Sequence, residues 1–120
     1  MAIDPFQERL AKVRFRFAAT LAGKIEDTYT ALPLLSGEGA QTSEAMEATY
    51  RRIHGICGVG PTVGFVRTGR IAREAAAIVL EPYRAHRGFT DSEAESFRQK
   101  LHELREAAEF ELNSAFANPC

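Results

Sequence analysis

No stretch of this chain stays apolar long enough to cross a bilayer. Its first residues, Met1-Ala2-Ile3-Asp4-Pro5, carry neither the basic start nor the apolar stretch of a signal peptide. The expectation is a cytoplasmic protein without membrane association. Cysteine is nearly missing: Cys57 and Cys120 are 2 residues in 120, too few for a disulfide framework, and read as reduced thiols. An excess of either charge is lacking as well. Lys+Arg 15 against Asp+Glu 16 leaves a net charge of -1, which excludes the basic footprint of a general nucleic-acid binder. Internal repeats, low-complexity tracts and linkers are absent, so residues 1–120 are read as one domain. Hydrophobic residues at 45% and charged ones at 26% suit an ordered, soluble core. A nucleophile–base pair, a glycine-rich phosphate loop and a metal-ligand cluster are also missing, so a complete enzyme is not expected.

What is present is helical periodicity. Asp4-Pro5 suits an N-cap and a first helical residue, and Phe6, Leu10, Val13, Phe17 and Leu21 then recur at helical spacing. Gly23 is expected to interrupt this helix. A second segment, 25–35, carries Ile25, Thr28, Tyr29, Leu32 and Leu35, with Pro33 bending or ending it. Ser36-Gly37-Glu38-Gly39 reads as a turn, and Thr42 or Ser43 as the cap of the next helix. Met46, Thr49, Ile53, Ile56 and Gly60 make its narrow seam, which Gly60-Pro61 closes. The following helix carries Phe65, Gly69, Ala72, Ala76 and Val79 and is expected to stop or kink at Glu81-Pro82. Arg87-Gly88 is a loop, and Thr90-Asp91-Ser92-Glu93 has the spacing of a capping box. Phe97, Leu101, Leu104, Ala108, Leu112 and Ala115 form the last stripe, before an Asn118-Pro119-Cys120 tail. The fold class expected is all-α: an antiparallel four-helix bundle with a short additional N-terminal helix.

One position stands out on the third helix. At 100° per residue, Met46, Thr49, Ile53 and Ile56 cluster on one side, and His54 lies about 100° from Ile53, so its ring should reach water. Tyr50, Arg51, Cys57 and Gly58 are its neighbours at three or four positions. Interior helical glycine costs roughly 1 kcal/mol against alanine, so Gly55, Gly58 and Gly60 call for an explanation. Gly58 removes the side chain that would fence the imidazole in, and Gly55 flattens the same flank. Close approach of another protein to His54 supplies the reason. Between Glu47 and Glu74 there is no acidic residue, while Arg51, Arg52, Arg67, Arg70 and Arg73 all fall there. Such a surface steers a partner with an acidic, phosphate-bearing pocket, and its arginines suit phosphoryl oxygens. Without that surface, Cys57 reads as a small half-buried hydrophobe, and His86 and His102 as ordinary surface residues.

The segment from His54 through Gly55, Ile56, Cys57 and Gly58 to Gly64-Phe65 resembles the signature of the histidine-containing phosphotransfer domains of two-component signalling. Length and helix order resemble that family over nearly the whole chain. The resemblance implies that His54 accepts a phosphoryl group, with Tyr50, Arg51, Cys57 and Gly58 next to the partner or phosphate. It implies two partners, a histidine kinase and a response-regulator receiver domain, and no cofactor of its own, the divalent metal ion being carried by the receiver. A monomer is the simplest expectation. The sequence departs from the pattern at Cys57, where the family commonly has a lysine that helps hold the phosphate; that role is vacant or passes to Arg51 or another arginine. Thr68 and Ala75 are also smaller than the leucines often found after the glycine–phenylalanine pair. The departure at Cys57 supports a second reading, a helical module that docks on a receiver or kinase without carrying phosphate.

Overall fold

The Asp4 carboxylate accepts the Phe6 amide at 3.0 Å and Pro5 fills the first turn, where its missing donor costs nothing. From that cap the computed structural model, which describes residues 4–117 with side-chain detail through residue 114, runs one helix, α1, over Pro5–Ala31. The N-terminal residues Met1 to Ile3, the tail Asn118-Pro119-Cys120 and the Ala115 side chain lie outside that description. Gly23 does not interrupt α1. Buried Leu21 and Ile25 on either side hold the helix to the bundle, and this outweighs glycine's weak propensity. The short additional helix expected at the N-terminus is therefore the first half of α1. Its stripe meets the core only through half-buried Leu10: Phe6 and Val13 remain 63% and 42% exposed, and full burial begins at Phe17.

A 3-10 turn, Leu32–Leu34, holds Pro33 and ends in buried Leu35. Helix α2 follows over Ala40–Val59. It starts earlier than Thr42 or Ser43 because Gly39, at φ 98°, turns the chain into it; Thr42 is buried within the first turns. Met46, Thr49, Ile53, Ile56 and Gly60 are all buried, as their spacing predicts. A second 3-10 turn, Gly60–Val63, then Gly64 at φ 95°, swings the chain into α3, Val66–Arg84. Gly69 lets α3 press on this turn, since a Cβ there would collide with the Pro61 ring. The last helix, α4 (Asp91–Ala117), caps α3 from outside. The Glu111 carboxylate accepts the Thr68 amide at 2.6 Å, the Thr68 hydroxyl at 2.6 Å and the Arg67 amide at 3.2 Å.

Pro82 does not stop α3. It sits buried in the last turn, where the cost is the one hydrogen bond its own missing amide would have made, and the helix continues to Arg84. His86, at φ 53°, takes the left-handed place after the helix, while the Arg87 amide bonds back to the Pro82 carbonyl at 3.1 Å. Helix α4, Asp91–Ala117, opens on the expected capping box: the Thr90 amide meets Glu93 Oε1 at 2.9 Å and the Glu93 amide meets Thr90 Oγ1 at 3.1 Å. Arg87 adds a bond to the same carboxylate at 2.7 Å. The four helices form an antiparallel bundle of 58 × 24 × 19 Å around Leu21, Ile25, Ile53, Ile56, Val79, Phe97 and Leu101. Among the described residues, no helix is long and apolar enough to cross a membrane.

Candidate functional site

The seam of α2 points Ile53 and Ile56 into the core, which leaves His54 on the exposed side. One turn before it, the Tyr50 ring stacks on the imidazole, with centroids 5.4 Å apart and planes 18° from parallel. The other face of this column is Tyr83 of α3, stacked on Tyr50 at 4.9 Å and 12°. Half-buried Tyr50 is thereby held between the two helices, and one face of the imidazole rests on a fixed support. On the rest of its surroundings the backbone is bare. A Cβ built at Gly55 or at Gly58 meets nothing within 4 Å, so neither glycine is required by packing inside the protein; Gly58 lines the groove of His54, whereas Gly55, expected on the same flank, faces α1 beside Val13, Phe17 and Thr20.

His54 opens onto a groove of about 510 Å³ between α2 and α3. Tyr50, Cys57 and Gly58 line it from α2; Arg73, Ala76, Ala77 and Leu80 line it from α3. Of the neighbours read from the sequence, Tyr50, Cys57 and Gly58 thus share the groove with His54, and Arg51 does not. Arg51 extends into solvent and pairs with Glu47 at 2.7 Å. Cys57 is half-buried, and its thiol donates back to the His54 carbonyl at 3.2 Å, so it presents no charge to the groove. Arg52 turns towards α1, donating to Thr28 Oγ1 at 3.3 Å. The backbone amide of Arg67 is taken by Glu111 at the start of α3.

Arg73 is the arginine that lines the groove. The carboxylate next to it in sequence, Glu74, binds Lys100 at 2.7 Å, and that bond holds the carboxyl below its ordinary range. Among the described residues Arg73 has no carboxylate within 4.0 Å. In the sequence Arg73 stands only within a run of arginines, and nothing there singles out Tyr83. Tyr83 follows Pro82, where the sequence leads to the expectation of a stop or a kink. A helix carried through to residue 84 puts Tyr83 seven positions, two turns, beyond Ala76 and on the same face.

Fold and site together define a helical bundle that displays one imidazole beside bare backbone, with a cation across a shallow groove. Among the described residues no three His, Cys, Asp or Glu side chains converge as a metal site. No family model, curated protein or solved structure matches this chain.

Proposed function

We propose that this protein is a histidine phosphotransfer carrier, taking a phosphoryl group on His54 and passing it to an aspartate of a response-regulator receiver domain. The observation that carries this reading is the exposed His54 ring beside Gly58, a helical glycine in the same groove for which the interior gives no reason. An aspartyl phosphate arriving from outside must bring its phosphorus to bonding reach of the ring, and only a flank without side chains admits a partner's loops that closely. The lone pair of a neutral ring nitrogen forms the N–P bond while the O–P bond to the donor aspartate breaks. The bonding pair leaves with the carboxylate, and the proton on the second ring nitrogen stays or passes to water according to pH. The reverse step loads a second receiver. A histidine kinase or a receiver serves as donor, and the receiver contributes the divalent metal ion that offsets phosphoryl charge.

Cys57 favours a second reading. A neutral thiol folded onto its own helix gives the phosphate nothing to hold at the place where the family commonly has lysine. On that reading the bundle docks on a receiver or kinase and regulates it without accepting phosphate. Incubation with a phosphorylated receiver or a cognate kinase separates the two. The carrier takes up acid-labile, base-stable label, and His54→Gln takes up none. A wild-type protein that binds yet stays unlabelled is the docking module, and label retained in His54→Gln moves the site away from this groove.

A further inference from the structure

We propose that the α2–α3 groove is a seat for a tetrahedral phosphoryl or phosphate oxyanion, and that Arg73 supplies its positive charge from the helix opposite His54. The biological use of the seat rests on the carrier reading above; the seat itself is a property of the groove. Three observations lead there. Arg73 and His54 line the same open cleft of about 510 Å³, whose floor on the α3 side is kept low by Ala76 and Ala77. The other arginines near the imidazole are committed elsewhere: Arg51 to Glu47 at 2.7 Å, and Arg52 to Thr28 at 3.3 Å. Among the described residues no carboxylate lies within 4.0 Å of Arg73; Glu74, next to it in sequence, points away on the helix and is bound to Lys100.

Arg73 is exposed on α3 and shares the groove with the apolar Leu80 and Pro61, so its guanidinium is open to an incoming anion and has no carboxylate to displace. Its planar fork offers two parallel N–H donors to two oxygens of one tetrahedral anion, while the third oxygen stays free for the partner. Arg73 acts on the phosphoryl oxygens and not on the attacking nitrogen. The lysine role that Cys57 leaves vacant on α2 is thereby filled from α3, and a substitution that looks like a loss in the sequence is made good by the neighbouring helix.

The test uses the full chain as wild type, Arg73→Ala, Arg73→Lys and the control Arg51→Ala, all checked for unchanged helicity and melting. Inorganic phosphate is titrated while the His54 ring signals are followed by NMR. The expected result is a saturable response in wild type and Arg51→Ala, weakened about 10-fold or more in Arg73→Ala and partly kept in Arg73→Lys. Labelling by phosphoramidate, a small donor that brings no docking surface, should slow by about 10- to 100-fold in Arg73→Ala. A wild type indifferent to phosphate, or an Arg73→Ala variant that responds as wild type does, overturns the seat. A phosphate response without label from any donor leaves the seat standing and removes the carrier reading. Normal His54 labelling in Arg73→Ala does the reverse.

Discussion

Replacing Gly58 separates a glycine kept for the fold from one kept for a visitor. A Cβ at this position meets nothing within 4 Å, so Gly58→Ala should stabilise the bundle by about 1 kcal/mol, the difference in helix propensity. For a domain of this size that raises the melting temperature by about 4 °C. Gly58→Leu should keep most of that gain, since leucine is nearly as good a helix former and also points into open space. Its effect on transfer should be opposite in sign. Phosphoryl transfer requires phosphorus and nitrogen within about 3–3.5 Å in line, and a misplacement of about 1 Å costs on the order of 100-fold. An isobutyl group one turn from the imidazole obstructs the partner by more than that distance, so single-turnover transfer from a phosphorylated receiver should fall by about 100-fold. Phosphoramidate labelling, which needs no docking, should fall far less. Gly23→Ala is the control, because Gly23 also faces open space but lies on α1 away from the groove; it should gain the same stability at unchanged transfer. Transfer at the wild-type rate in Gly58→Leu refutes the close-approach argument. Loss of stability in Gly58→Ala shows instead that the glycine serves the fold.

Tyr50→Ala should remove the support under the imidazole and its link to Tyr83, slowing transfer by about tenfold at saturating partner, whereas Tyr50→Phe keeps the stack and should restore the rate. Wild-type transfer in Tyr50→Ala, measured under single-turnover conditions, would mean that the ring needs no such support. At the far end of the bundle, Arg87 holds the Glu93 carboxyl down to about 2, against burial that acts the other way and with help from the Thr90 amide. Because the folded value lies below the ordinary 4.5, the stabilisation is complete above about pH 4.5 and disappears as pH falls towards 2. With Arg87 partly exposed, about 2 kcal/mol is the expected size. Urea midpoints of wild type and Glu93→Gln should therefore differ at pH 7 and converge near pH 2; an equal gap at both would show that the pair does not titrate in this way.

Buried seams were the most legible part of the sequence. Ile53, Ile56, Ala72, Val79, Phe97 and Leu101 repeat at helical spacing, and each lies in the core because a helix can bury only one face. The errors fall where local preference and tertiary contact disagree. Gly23 and Pro82 both read as breaks, yet both lie inside helices whose neighbouring residues are anchored in the bundle, and anchoring outweighs a local cost of about 1–3 kcal/mol. Phe6 and Val13 failed in the other direction. Their spacing continues the α1 stripe, but periodicity says only that residues share a face and not that another helix covers it. His54 and its bare flank were legible because all their features belong to one helix. The pairing of Arg51 with Glu47, by contrast, follows from a spacing of four that was present in the sequence and carried a warning against giving Arg51 the phosphate.

The groove depends on two helices, and this distinguishes it from a motif. Helix α2 alone supplies the imidazole, the thiol and the bare backbone, and Gly64-Phe65, the rest of the short signature, adds only the turn into α3. The cation and the second tyrosine come from α3, and they reach the site only because the turn at Gly60–Val63 sends α3 back antiparallel at a fixed register. That register is set by close packing of Gly69 on Pro61 at one end and by the Tyr50–Tyr83 stack at the other. A shift of one residue along α3 rotates Arg73 by about 100° and takes it out of the groove. The surroundings of His54 are therefore tied to the packing of the bundle. A substitution at Gly69, with no contact to the imidazole, should disturb anion binding as surely as one at Arg73, but should lower the melting temperature as it does so.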